Sequence, residues 1–180
     1  MKDCIDAIEN RRSIRKFKRR EVSKSDIEIL LNSAQMAPSA GNLQAREFII
    51  VSLDEGKKDI ARAALNQEFI REASIVIVIC ANMTRSEPRY RTRSALYAIQ
   101  DATASVMNIL LAAHSLDLGA CWVGAFDERE VSSLLNLPDN VRPIALLPVG
   151  YPDEAPMAPP RLGEKIEHWE KWVLDSGREG

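Results

Sequence analysis

Arg11, Arg12, Ser13 and Arg15 place three guanidinium groups and one hydroxyl within a single short segment. A guanidinium fork matches the oxygen geometry of a phosphate, and a serine hydroxyl adds one more donor. The cluster therefore suits a phosphorylated ligand, although the same residue types also build plain solvated basic faces. A second polar group follows at Pro38-Ser39-Ala40-Gly41-Asn42-Leu43-Gln44, a turn-forming run rich in amides and hydroxyls. Alone, it reads equally as a connection or as a binding loop.

Other chemistries lack their residues. Gly119 and Gly124 have the outer spacing of a P-loop, but Ala125 and Phe126 stand where Lys and Ser/Thr are required. No GxGxxG opens a helix after a strand, and neither a GxSxG elbow nor an HExxH pair occurs. His114, on a long apolar segment, and His168, beside Trp169, both read as structural. Cys4, Cys80 and Cys121 are far apart and odd in number, against a disulfide framework or a clustered metal site. No catalytic side chain and no metal ligand is assigned, and cysteine usage points to a reducing, cytoplasmic setting.

With 24 Lys+Arg against 26 Asp+Glu over 180 residues, the net charge of −2 argues against a nucleic-acid wrapper. Positive charge is local, with eight basic and three acidic side chains between Lys2 and Arg20. A chain that is 46% hydrophobic and 28% charged fits one globular domain over 1–180. The apolar span 95–118 is interrupted by Gln100, Asp101, Asn108, His114 and Asp117, so it reads as a buried helix and not a membrane crossing.

The elements that must position these groups follow from spacing. Ile5 and Ile8 suggest a short first helix. Ser25 with Glu28 forms a capping-box pattern ahead of Ile27, Leu30, Leu31 and Ala34, and Pro38 stops that helix. Strands are expected at 48–51, 75–80, 120–126 and 144–149, the second covered on both faces because it is an unbroken apolar run. Asp54 is placed to cap a helix carrying Ile60 and Ala61, and Asp127 with Glu130 to cap another carrying Val131. The segment 83–93 is polar and rich in arginine, and reads as a loop in which Arg85, Arg89 and Arg91 either meet a ligand or face solvent. A helix over 94–118, capped by Gly119, is apolar on nearly every side, which calls for a second subunit to cover it. The prolines after Pro152 make 152–180 an extended arm with a last short helix at Ile166, Trp169 and Trp172. Together these elements give an α+β sandwich around a mixed sheet.

Several segments in order resemble the FMN-dependent nitroreductase family: Arg11-Arg12-Ser13-Ile14-Arg15-Lys16-Phe17, then Pro38-Ser39 with Asn42 and Gln44. The resemblance continues through Tyr97-Ala98-Ile99-Gln100-Asp101, Leu118-Gly119-Ala120-Cys121-Trp122-Val123-Gly124, Pro148-Val149-Gly150 and Arg161, covering essentially the whole chain. Ala45 and Arg46 stand where many relatives continue with Pro-Trp.

The resemblance implies a three-layer α/β/α fold around a mixed, mainly antiparallel sheet, and an entwined homodimer with FMN at each of two shared sites. It implies that Arg11, Arg12, Ser13 and Arg161 hold the phosphate and ribityl chain, with Arg15 at the flavin N1–O2 edge. Pro38, Ser39, Asn42 and Gln44 would reach the flavin from the partner subunit, and Trp122, Val123 and Gly124 would line the ring. The implied activity is ping-pong hydride transfer from NADH or NADPH to an electron-poor acceptor such as a nitroaromatic or a quinone, without nucleic acid or membrane. The rival reading is a non-enzymatic flavin-binding or redox-sensing dimer.

Overall fold

A computed structural model describes residues 3–172, excepting the side chains of Glu164 and Lys165. The element order is α1 (Cys4–Asn10), α2 (Lys24–Gln35), β1 (Arg46–Val51), α3 (Asp54–Ala63), α4 (Phe69–Glu72), β2 (Ile75–Asn82) and α5 (Met83–Tyr90), followed by α6 (Ser94–Ser115), β3 (Gly119–Ala120), α7 (Glu128–Leu134) and β4 (Val141–Gly150). Four strands pair antiparallel in the order β1-β2-β4-β3. The parallel component is the isolated bridge between Ser13 and Ala120.

Strand β2 explains the three layers. Successive strand side chains point to opposite faces. Ile75, Ile77, Ile79 and Ala81 join the core under α2 and α6, whereas Val76, Val78 and Cys80 join the core under α3, α4 and α7. Both sets are buried, so the unbroken apolar run is what a strand between two helical layers requires. Ala98, Ala102, Val106, Ile109 and Ala113 of α6 are each 0% exposed and form the stripe that meets the sheet. By length and composition alone, the helical run Met83–Ser115 would suffice to cross a membrane.

Four local expectations need correction. The first concerns the end of α6, which has 22 residues and stops before Gly119. Asp117 takes φ +58°, its N–H donates to His114 O at 3.1 Å, and the Leu118 N–H donates to Ala113 O at 2.8 Å. That is a Schellman ending with aspartate in the left-handed position. Gly119 serves another purpose, because a Cβ there would stand 2.8 Å from the Ile14 side chain.

The second is the segment 83–93, which is helix α5 followed by a 3-10 turn at Arg91–Arg93 and not a loop. Ser86, buried, donates to Ser94 O at 2.9 Å and pins the helix to the start of α6. The third is the strand expected at 120–126. It shrinks to Gly119–Ala120 plus one bridge from Val123 to Leu146, because opposite Cys121 stands Pro148, whose carbonyl accepts the Cys121 N–H at 3.3 Å but which has no N–H to return. The fourth concerns caps: Ser23, not Ser25, accepts from the Asp26 N–H at 3.1 Å and donates to the Asp26 carboxylate at 2.7 Å. Asp54 is the first residue of α3, and its N-cap is Leu53. The Asp127 cap is as expected, with its Oδ1 accepting from the Arg129 and Glu130 N–H groups at 2.9 Å each.

In the arm, Gly163–Ile166 forms a single 3-10 turn and Trp169 and Trp172 are exposed. The remainder of the arm, 173–180, lies outside the described residues.

Ile77 is fully buried opposite Ile50 and Leu147. Ile77→Ala should cost about 2–5 kcal/mol, as for other large-to-small core changes. Urea unfolding should show this as a lower midpoint at unchanged slope.

Candidate functional site

The arginine segment lies along the edge of β3. Ile14 is buried, its N–H donates to Ala120 O at 3.0 Å, and Ser13 bridges the same residue in parallel. Because Gly119 lacks a Cβ, Ile14 can press flat against the strand, which fixes the direction of its neighbours Ser13 and Arg15. A Glu154 carboxylate oxygen accepts the Arg15 N–H and, at 3.0 Å, the Lys16 N–H. The Arg15 guanidinium sits 6.0 Å above the Phe69 ring.

Like charge is crowded here. Burial, then Arg12 and then Arg161 push the Arg11 pKa down, yet an arginine stays charged. One Arg12 nitrogen donates to Glu9 O at 2.7 Å and Arg11 O at 2.8 Å, folding that side chain onto the end of α1. An anion among Arg11, Arg12 and Arg161 would relieve their repulsion. Arg11 and Arg12 also line a cavity of about 320 Å³ with Ile14, Leu110 and His114.

Trp122 is half-exposed beside this cluster, Val123 is buried by paired bonds with Leu146 (2.9 and 3.0 Å), and Gly124 is exposed. A Cβ on Gly124 would meet only Trp122, at 3.9 Å, so the backbone there is open to a flat ligand. Gln67, which sequence reasoning missed, fixes the far side by donating to Ala64 O at 2.9 Å and Ala125 O at 3.0 Å. Burial pushes the Cys121 thiol up more than Arg15, the Ser13 hydrogen bond and Arg11 lower it. Cys121 is therefore a neutral thiol at pH 7 and no nucleophile.

The second group lies elsewhere. Pro38 and Ser39 lead into a 3-10 turn at Ala40–Asn42 in which Gly41 (φ +57°), Asn42 (+56°) and then Gln44 (+50°) are left-handed. Asp101, 4% exposed on α6, holds this shape: one carboxylate oxygen accepts the Ala40 N–H at 2.8 Å and the other the Ala45 N–H at 3.3 Å. Ser39 Oγ accepts the Gln44 N–H at 3.1 Å. Arg46, also 4% exposed, donates to Gln35 O, Ala37 O and Pro38 O at 2.6, 3.0 and 3.4 Å. These bonds account for Ala45-Arg46: the Ala45 N–H is in use, which proline could not supply, and Arg46 caps the end of α2. Asn42 and Gln44 are exposed.

The two groups sit toward opposite ends of α6. Twelve residues separate Asp101, under the loop, from Ala113, at the end beside the arginine segment. That is roughly 18 Å of helix axis. Within one protomer Arg11, Arg12, Ser13, Arg15 and Arg161 gather around Ala120 and Cys121, and Trp122, Val123 and Gly124 follow directly along the chain. The structure does not bring Pro38, Ser39, Asn42 and Gln44 to them. Another concavity, of about 890 Å³, is a third place, lined by charged side chains including Lys18, Arg20, Lys57, Glu68 and Arg71. Its wall lacks the apolar surface a flat ring needs, and none of the twelve residues faces it.

Asp101→Asn turns a carboxylate oxygen into an NH2 group facing a backbone N–H. The loop should loosen at a cost of about 1–3 kcal/mol for the amide left without an acceptor. Hydrogen exchange at Ala40 and Ala45 should rise while Ile77 stays protected.

The nitroreductase family model matches residues 8–67 and 58–151. An Archaeoglobus fulgidus protein assigned as an NADH dehydrogenase/NAD(P)H nitroreductase is 36% identical over 179 residues, spanning 96% of this chain and 100% of that one. The FMN reductase (NADPH) of Bacillus subtilis is 30% identical over 184 residues, covering 94% of this chain and 74% of its own. A solved nitroreductase structure from B. subtilis superposes with a TM-score of 0.91 at 29% identity, over 97% of this chain and 76% of that one. With the same sheet-and-helix layering and matching segments along nearly its whole length, the chain belongs to the nitroreductase family.

Proposed function

We propose that the chain is an FMN-dependent oxidoreductase that draws on NADH or NADPH and works as a homodimer with two shared sites. The family makes it an NAD(P)H-dependent flavin oxidoreductase. The observation that carries the choice of cofactor is the crowding of Arg11, Arg12 and Arg161, together with an open backbone at Gly124 in the segment that follows β3. Clustered guanidiniums favour a phosphate, and an uncovered strand edge with a half-exposed Trp122 accepts a flat ring.

When bound, FMN supplies a ring that takes hydride from the nicotinamide and passes it to an electron-poor acceptor, a nitroaromatic or a quinone, in a ping-pong cycle. The protein's residues bind and orient. Arg11, Arg12, Ser13 and Arg161 hold the phosphate and ribityl end. Arg15, stacked over Phe69, places a fixed positive charge where reduction adds electron density. Trp122, Val123 and Gly124 form the floor. Pro38, Ser39, Asn42 and Gln44 of the partner subunit complete the site. No side chain has to move a proton for hydride transfer, in keeping with the neutral Cys121.

The dimer reading rests on apolar side chains left uncovered by one protomer: Ile5 and Ile8 on α1, Ile29 on α2, and Leu96 and Met107 on α6. The proposal further takes 1–180 as one domain with 152–180 as its arm, acting in the cytoplasm without nucleic acid or membrane.

An absorption spectrum after FMN incubation and gel filtration tests the cofactor; a colourless protein would sink the proposal. Rapid anaerobic bleaching by NADH or NADPH separates an enzyme from a flavin store. Arg11→Ala should weaken FMN binding by about one to two decades, the value of a charge-assisted contact, and leave the reduction potential nearly unchanged. Arg15→Ala should lower the potential with a smaller affinity loss, and equal effects from both variants would refute this division. Steady-state plots at several acceptor concentrations should be parallel; intersecting lines would exclude the ping-pong cycle.

A further inference from the structure

Helix α5 stands directly on the loop expected to reach the flavin. A Cβ built on Gly41 would lie 2.7 Å from Arg89 Nη1 and 2.7 Å from Tyr90 Oη. The helix is held in place: Ser86 is pinned to Ser94, Arg85 donates to Gln44 O at 3.0 Å, and Tyr90 meets Tyr97 edge-on at 4.7 Å between ring centres. Arg89 and Tyr90 are therefore fixed relative to Asn42 and Gln44.

The arginines of this segment are not equivalent. Arg85 is neutralised by Glu47 at 2.6 Å, and Arg93 donates to the Tyr97 hydroxyl at 2.8 Å. Arg89 has no carboxylate within ion-pair reach among the described residues, and its guanidinium rests 5.6 Å from the centre of the Tyr90 ring. Between Met83 and Arg93 only Glu87 is acidic, against four arginines. The surface that α5 sets against the loop thus combines aromatic rings with a guanidinium that no carboxylate among the described residues pairs.

We propose that Arg89, carried on Tyr90, is a specificity-determining residue that selects ligands bearing an anionic oxygen group, a phosphate or a carboxylate, for the redox site. This rests on the function proposed above, and it names the substrate class that site prefers. The guanidinium contributes to binding and not to hydride transfer, so it should act on KM and leave kcat alone. The anionic group belongs either to the nicotinamide donor or to the acceptor, and paired probes distinguish them.

The test uses the flavin-loaded full chain, Arg89→Gln and Arg89→Lys. NADPH is compared with uncharged 1-benzyl-1,4-dihydronicotinamide in the reductive half-reaction, and 4-nitrobenzoate with 4-nitrobenzamide in the oxidative one. Arg89→Gln should raise the half-saturating concentration of at least one charged probe about tenfold or more, leaving its neutral counterpart within about twofold. Arg89→Lys should recover most of the loss. In the wild-type enzyme, turnover of the selected charged probe at low concentration should fall with added salt, and the neutral probe should not respond. Equal changes for charged and neutral probes, no change for any probe, or a salt response shared by both would overturn the assignment while leaving the oxidoreductase reading intact. A wild-type protein whose flavin is reduced by neither donor would overturn that reading, and this one with it.

Discussion

One buried carboxylate sets the shape of a large part of this protein. Asp101 interrupts an apolar helix at a depth where an unsatisfied charge would cost several kcal/mol. It is tolerated because its oxygens take the N–H groups of Ala40 and Ala45, with the Arg46 guanidinium nearby. Those two bonds grip the loop at both ends, so three consecutive features follow from them: the end of α2, the left-handed turn through Gly41 and Asn42, and the start of β1. Arg46 completes the arrangement by collecting the carbonyls that α2 leaves exposed at its end. Left-handed residues such as Asn42 and Gln44 are held by their surroundings more than by their own preference.

At the other end of α6 a steric constraint does the equivalent work. Gly119 offers no side chain, Ile14 fills the space, and the arginines on either side inherit a fixed course along β3. Polar atoms position one half of the candidate site, and in the other van der Waals contact joins the backbone hydrogen bonds of Ile14, Arg15 and Lys16. Both halves are referred to the same helix and, through its apolar stripe, to the same face of β2.

The layered fold was legible because its signals are local and strong. The run from Ile75 to Cys80 has one physical explanation, a strand covered twice, and the apolar helix after Ser94 needs a sheet beneath it. The misread places are those where a distant partner decides. Segment 83–93 is too polar to announce a helix, but Ser86 reaches Ser94 and Arg85 reaches Glu47, and these contacts fold it. Asp117 ends α6 although glycine is the more usual residue there, and Gly119 is reserved for Ile14. Of the candidate site, the arginines were visible as a local charge cluster. Asp101, Arg46 and Gln67 were not visible as its supports, because a carboxylate, a guanidinium or an amide shows its acceptor or donor only once the chain is folded.

The distance along α6 between loop and arginines has a genetic meaning. In the proposed dimer each flavin site takes its floor and phosphate clamp from one chain and its loop from the other. A chain defective in the loop and a chain defective at Arg11 would each form homodimers with two broken sites. Paired with one another, they would assemble one site with both lesions and one with neither. Two inactive alleles would thereby complement within the same gene, restoring up to half the sites in every hybrid molecule.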